Sequence, residues 1–266
     1  MWWDADRAVA ARDPRWNAAA EARSSQAIGR ALKSKLVLFD IDGTILLTAG
    51  AGRRAIVAAI TEQVGDATRL QQVRFDGKTD PQIVTELLES AGHPGPHRPD
   101  RVQALCSRYV DLLEYELQQP TSSTTLMPGV ASLLDRLERS DQVILGLLTG
   151  NMARGAALKL ASAGLDPRRF RVGAYGSDAV RRPELPPIAA QRAAPYFGRV
   201  PSGAEVVIIG DTPADIACGD CIGARAIAVA TGAYSVADLM SCAPHAVFEN
   251  LSNTDRVLQA IFAPHR

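Results

Sequence analysis

The segment Leu36–Thr44, Leu-Val-Leu-Phe-Asp-Ile-Asp-Gly-Thr, constrains the fold more than any other stretch of the chain. Its apolar half runs straight into two carboxylates, a glycine and a threonine. A short apolar run closed by polar residues and glycine predicts a strand buried on both faces of a parallel sheet. Such sheets bind ligands outside the carboxyl ends of their strands, so Asp40 and Asp42 are expected at a ligand site. Alternation along an extended chain puts both acids on one side and Ile41 on the other. Neighbouring carboxylates repel each other and persist around a cation or a shared proton; a small oxygen-rich cluster suggests Mg²⁺.

Two further apolar runs end in the same manner. Val143–Leu148 leads into Thr149-Gly150-Asn151, and Val206–Ile209 into Gly210-Asp211-Thr212-Pro213-Ala214-Asp215. Shorter strand-like runs lie around Arg171–Tyr175, Ala226–Ala230 and Ala246–Phe248. Helical periodicity fills the intervals. Ile56, Ile60 and Val64 recur at i, i+4, i+8 within Ala51–Val64. Asp80-Pro81 predicts a helix start with Asp80 as N-cap, and Gly92 its stop. Val102, Leu105, Tyr109, Leu112 and Leu113 form one stripe of a longer helix over Pro99–Gln119.

Strands alternating with helices predict an α/β fold, a doubly wound (Rossmann-like) parallel sheet. Residues 50–120 carry no strand signal and read as an all-helical insertion. Residues 35–49 and 121–266 then make up the α/β core, and residues 1–34 an N-terminal extension, loosely helical. Three useful polar groups, each ending an apolar run, fall on one edge of such a sheet: Asp40/Asp42, Thr149/Asn151 and Asp211/Asp215.

Composition narrows the function classes. Apolar residues make up 47% and charged residues 22% of 266, which is the balance of a soluble globular chain. Lys plus Arg equals Asp plus Glu at 29 each, so charge gives no reason to expect a nucleic acid or a membrane surface as partner. No apolar run reaches the roughly 18 residues of a membrane span, and nothing resembles a signal peptide, so a cytoplasmic enzyme is expected. Cys218-x-x-Cys221 and Cys242-x-x-His245 have the spacing of a zinc site. The strand-like run between them favours small buried thiols instead.

Taken together, these motifs resemble the haloacid dehalogenase superfamily, and within it phosphatases similar to phosphoglycolate phosphatase with a helical cap. The resemblance covers roughly residues 35–262. Its motifs stand as Asp40–Thr44, as Thr149 after a buried strand, and as Gly210–Asp215; the cap falls at residues 50–120, with Gly77-Lys78-Thr79-Asp80 matching a cap segment. The third motif departs. The family has lysine before proline, and here Arg182-Pro183 stands in its place. Lys159 lies on the helix after Thr149, too early in the chain for that role. Arginine keeps the charge but offers a planar fork rather than a point charge.

The resemblance implies that Asp40 is a nucleophile forming an aspartyl-phosphate and Asp42 a general acid and base. It implies Mg²⁺ held by Asp40, the backbone carbonyl of Asp42, Asp211 and Asp215. Thr149, with the backbone amides of Gly150 and Asn151, would hold the phosphoryl group, and Arg182 would replace the motif lysine. Gly43 would permit the close turn, and Lys78 would meet an anionic substrate tail, with Arg53 and Arg54 as further candidates. The expected partner is a small phosphorylated metabolite, phosphoglycolate-like or a sugar phosphate. Asp42 disfavours dehalogenation, since halide leaves without a proton. A phosphomutase, a phosphonate hydrolase using Lys78, and a non-catalytic binding protein are the alternatives on the same fold.

Overall fold

β1 (Lys35–Phe39) is the apolar run of the leading motif, and all of it beyond Lys35 is buried. The structure, a computed structural model, describes residues 34–65, 70, 72–119 and 123–263; the extension expected over residues 1–34 lies almost wholly outside them. A two-residue strand, β2 (Leu46–Leu47), follows the motif. Three helices come next: α1 (Ala51–Val64), α2 (Asp80–Ser90) and α3 (Pro99–Gln118). The chain then alternates through β3 (Thr125–Leu126), α4 (Val130–Glu138), β4 (Val143–Leu148), α5 (Ala153–Ser162), β5 (Val172–Ala174) and α6 (Leu185–Phe197). It finishes with β6 (Val206–Gly210), α7 (Pro213–Ala217), β7 (Arg225–Val229), α8 (Val236–Ser241), β8 (Ala246–Phe248) and α9 (Thr254–Phe262).

The main sheet has six strands in the order β5-β4-β1-β6-β7-β8, every pair parallel. β1 therefore lies between β4 and β6, and the three strands that end in motif residues are adjacent. Side chains alternate between two cores. Val37, Phe39, Leu145, Leu147, Val207 and Ile209 meet α4, α5 and α9 on one face. Leu36, Leu38, Ile144, Val206 and Ile208 meet Leu185, Ala189, Ala193 and Phe197 of α6 on the other. Burial on both faces is why these strands read as unbroken apolar runs.

The helices α1, α2 and α3 form a core of their own, with Ile56, Ile60, Val84, Leu87, Leu105, Tyr109 and Leu113 among its buried residues. A buried leucine truncated to alanine in such a core costs about 2–5 kcal/mol. The ribbon β2–β3, with Leu46 opposite Leu126, ties together the segments that enter and leave this layer. It went unpredicted, since two-residue strands carry no periodicity.

One cap assignment is corrected. Thr79, with extended backbone, is the N-cap of α2, its hydroxyl accepting from the Gln82 amide. Asp80 is the first residue of the helix and is buried. The hydroxyl of Thr79 also donates to the carbonyl of Val180, so the cap residue ties α2 to the core.

Candidate active site

The site is built on three adjacent strand ends. Beyond β1, the Asp40 amide donates to Ile209 of β6 at 2.9 Å; beyond β4, the Thr149 amide donates to Ala174 of β5 at 3.0 Å. The sheet ladder thus extends into the motif residues and fixes their backbone. Asp40 and Asp42 line the same cavity, and burial, with the charge of Asp42 adding to it, raises the Asp40 pKa. Their partners differ: Asp40 turns to Arg182, and Asp42 to Lys159 and Asn151.

Asp40 is buried, with Oδ1 3.0 Å from Nη2 of Arg182. The same nitrogen pairs with Asp215 and donates to the Leu148 carbonyl at 3.3 Å. Arg182 is itself buried. Burial opposes its charge, yet Asp215 and Asp40 together raise its pKa well above the ordinary value. The Arg182-Pro183 departure thus puts the cation between two acids.

Asp211 and Asp215 follow β6. Asp215 is locked by a capping box at the start of α7: its Oδ2 accepts from the Thr212 hydroxyl at 2.6 Å and the Thr212 amide at 3.0 Å. Asp211 accepts from the Thr44 hydroxyl at 3.0 Å. Gly43 makes room for it. Gly43 has φ +84, and a Cβ there would lie 2.3 Å from Oδ2 of Asp211. Carboxylate oxygens of Asp40, Asp211 and Asp215 all lie within 4.8 Å of one another. Burial raises the pKa of Asp211, with Asp215 and Asp40 adding to the rise, and burial likewise raises Asp40. Three crowded, buried oxygen donors suit a hard divalent cation. The Asp42 side chain is not one of the three.

Thr149 and Asn151 are organised by each other. The Thr149 hydroxyl accepts from the side-chain amide of Asn151 at 2.7 Å and from its backbone amide at 3.3 Å. With its lone pairs engaged, the hydroxyl proton is the part left for a ligand oxygen. This revises the expected roles. The Asn151 backbone amide is committed to Thr149, and α5 begins only at Ala153. The Gly150 carbonyl accepts from the Asp80 amide at 2.7 Å, and a Cβ on Gly150 would lie 2.0 Å from the Lys78 carbonyl oxygen. Gly150 is therefore where the 77–80 segment meets the core.

The chain position of Lys159 puts it outside the motifs, yet the structure brings its ammonium into the site. Its Nζ donates to both oxygens of Asp42 at 2.7 Å and to Oδ1 of Asn151 at 2.6 Å. The cation beside Asp40 is Arg182 and not Lys159. A lysine between Ala156 and Leu160 on the core-facing side of α5 was the available signal. Asp80 is the other residue given too small a part. It is buried, and its Oδ2 accepts from the Met152 amide at 2.7 Å.

A cavity of about 230 Å³ joins these groups, lined by Asp40, Asp42, Thr149, Lys159, Arg182 and Asp211 from the strand side and by Arg53, Phe75, Lys78, Asp80 and Tyr109 from the helical layer. Lys78 reaches it with its ammonium already paired to Glu86. Arg53 lies 4.3 Å over the Phe75 ring and donates to the Val73 carbonyl. Arg54 pairs with Glu116 instead and is not part of the lining. The cysteine and histidine motif forms no cluster among the described residues; the His245 ring accepts from the Ala226 amide, and the cysteines are free. Nor is any described helix long and apolar enough to cross a membrane.

A family model described as haloacid dehalogenase-like hydrolase matches residues 34–223. A phosphoglycolate phosphatase of Cereibacter sphaeroides is 26% identical over 232 residues, covering 85% of this chain and 99% of the relative. Among solved structures, CbbY from Rhodobacter sphaeroides in complex with phosphate aligns with a TM-score of 0.62 at 16% identity, covering 82% of this chain and 95% of that one. A β-phosphoglucomutase from Clostridium difficile aligns with a TM-score of 0.63 at 15% identity, covering 86% and 97%. At such identity the structural likenesses establish the fold.

Proposed function

Because the chain belongs to the haloacid dehalogenase-like hydrolase family, we propose that it is a phosphatase acting on a small phosphomonoester through an aspartyl-phosphate at Asp40. The observation that carries this reading is the placing of Asp40: a buried carboxylate at the end of the central strand, beside Arg182, in the cavity that also holds Asp42 and Thr149. The 26% identical relatives named phosphoglycolate phosphatase support the substrate class.

The Asp40 carboxylate attacks phosphorus and the ester P–O bond breaks. The leaving oxygen takes a proton from Asp42 in its acid form. Water then attacks the aspartyl-phosphate, giving its proton to Asp42, and inorganic phosphate leaves with Asp40 restored. Dividing the reaction this way replaces one hard step with two easier ones. Thr149 donates its hydroxyl proton to a phosphoryl oxygen, and Arg182 holds Asp40 in line. Asp40, Asp211 and Asp215, with the backbone carbonyl of Asp42, would hold Mg²⁺, whose charge offsets that of the phosphate and polarises its oxygens. Residues 50–120 act as a cap over the site, closing on Gly150 through the 77–80 segment, with residues 35–49 and 121–266 as the core. The substrate reaches Lys78 and Arg53 only by competing with the partners they now hold.

The test is release of inorganic phosphate from a panel of small phosphomonoesters, with Mg²⁺ or with EDTA. Wild type is expected to turn over in Mg²⁺ alone, and Asp40→Asn to lose on the order of 10⁴-fold or more. Turnover surviving in Asp40→Asn would overturn the assignment. No release from any ester, by folded protein, would favour a phosphomutase or a phosphonate substrate.

A further inference from the structure

The side chain of Asp42 is not free to rotate between substrate and solvent. Its Oδ2 accepts from Lys159 and from the Asn151 amide, each at 2.7 Å, while Oδ1 accepts from Lys159 alone at 2.7 Å. Lys159 spends its third proton on Oδ1 of Asn151 at 2.6 Å, so lysine and asparagine brace each other as well as the acid. The ammonium is buried although half of the Asp42 side chain's surroundings are open, at 5% against 43% exposure. A buried lysine must keep its partners, because an uncompensated buried charge is costly. The brace therefore fixes the acid rather than the reverse.

Both layers shape the place where this ammonium sits. Ala156 and Leu160, on either side of Lys159 along α5, are packed in the core beneath the sheet. Opposite, a Cβ on Gly52 of α1 would lie 3.3 Å from Nζ and 3.9 Å from the Tyr109 hydroxyl. Gly52 is thus the wall of the slot, and its lack of a side chain leaves the ammonium room.

We propose that Lys159 is a positioning residue for the general acid: with Asn151 it holds the Asp42 carboxyl group so that Oδ1, the oxygen with one donor, faces the leaving group. The proton exchanged with the leaving oxygen moves at Oδ1, and Oδ2 stays tied to the protein. Arg182 orients the nucleophile and Lys159 the acid, so the two cations serve separate halves of the reaction. This inference rests on the phosphatase reading above and assigns a role to a residue outside the family's motifs as they stand in this chain.

The experiment compares an aryl ester, p-nitrophenyl phosphate, with the alkyl phosphate that wild type hydrolyses fastest. A nitrophenolate leaves without help, whereas an alkoxide needs a proton. Lys159→Met is expected to lower kcat/KM on the alkyl ester by about 10²-fold, the usual worth of a general acid, with most of the loss in kcat, while kcat/KM on the aryl ester, which reports only the formation of the aspartyl-phosphate, falls by about threefold. Asp42→Asn is expected to show the same pattern, and the double variant to match Asp42→Asn, because a residue that acts only through Asp42 has nothing left to position. Lys159→Cys followed by aminoethylation rebuilds the ammonium with sulfur in place of one methylene. It should restore the alkyl rate, measured against wild type treated in the same way.

An equal loss of kcat/KM on both esters, a loss on the alkyl ester carried by KM alone, full additivity with Asp42→Asn, or no recovery on aminoethylation would each overturn the proposal. If wild type hydrolyses neither ester, it is the phosphatase reading that fails, and the variants are not needed to see it.

Discussion

Nη2 of Arg182 lies 3.0 Å from Oδ1 of Asp40, with both side chains buried at the end of the central strand. The same nitrogen pairs with Asp215. Removing one partner of a buried ion pair leaves the others uncompensated, at a cost of about 3–5 kcal/mol. Arg182→Ala should therefore destabilise the protein by that amount and abolish turnover. Because one nitrogen serves both acids, a point charge can do part of the work. Arg182→Lys should regain part of the stability, its shorter arm limiting the recovery. Chemical denaturation and phosphate release on the two variants check this. Full activity in Arg182→Ala would remove Arg182 from the site.

Gly43 bears on Asp211 in two ways. Its φ of +84 suits glycine, and the space a Cβ would fill is already held by the Asp211 carboxylate. Gly43→Ala must strain the turn, displace Asp211, or both. A loss of about 1–3 kcal/mol in stability is expected, and, with Asp211 proposed to hold the ion, half-saturation of turnover at a higher Mg²⁺ concentration. A Mg²⁺ titration of activity compares the two proteins; unchanged half-saturation would show that Asp211 does not feel the turn.

Crowding of Asp40 and Asp211 sets a pH dependence. Burial, with neighbouring acids adding to it, raises Asp40 to about 7 and Asp211 to about 9 in the metal-free protein. Their folded pKa values exceed the unfolded ones, so the folded state binds more protons and stability falls as pH rises toward and through those values. A cation replaces the protons and removes the penalty. Mg²⁺ should thus raise Tm more at pH 8.5 than at pH 5.5, by an amount that grows with concentration over Kd. Equal shifts at the two pH values would mean that these carboxylates do not hold the ion.

Much of this architecture is legible in the sequence. β1, β4 and β6 are apolar runs because a parallel sheet buries both faces, and the polar residues that end them place three strand ends on one edge; that the three strands are adjacent is given by the sheet order alone. Arg182 could be named as a cation for the site by its place before Pro183, and it lies beside Asp40. Lys159 could not, because its place beside Asp42 depends on the angle at which α5 leaves the sheet, and spacing from Thr149 carries no such information. Thr79 and Asp80 are both good N-cap residues, and only the chain's path decides between them. That Asp40 and Asp42 share a cavity follows from alternation along the chain, whereas their different partners, Arg182 for one and Lys159 with Asn151 for the other, depend on distant segments.

Asp80 offers a last prediction, independent of the metal. Its carboxyl is buried at the first turn of α2, where Oδ2 accepts from the Met152 amide. Burial pushes its pKa up to about 7, with Asp42 adding to the rise, against the lowering effect of Lys159 and the Met152 amide. The folded value lies above the unfolded one, so the stability associated with Asp80 is fully present below about pH 4 and is lost as pH rises from there through 7. Asparagine at this position keeps an oxygen for the Met152 amide and carries no charge to bury. Asp80→Asn should match wild type near pH 4 and exceed it at pH 8, by ~1–4 kcal/mol. Urea denaturation at the two pH values measures the difference. If Asp80→Asn proves less stable at pH 8, the charge on Asp80 is sustained by Lys159 after all, and the lysine's hold on Asp42 is shared with a second acid.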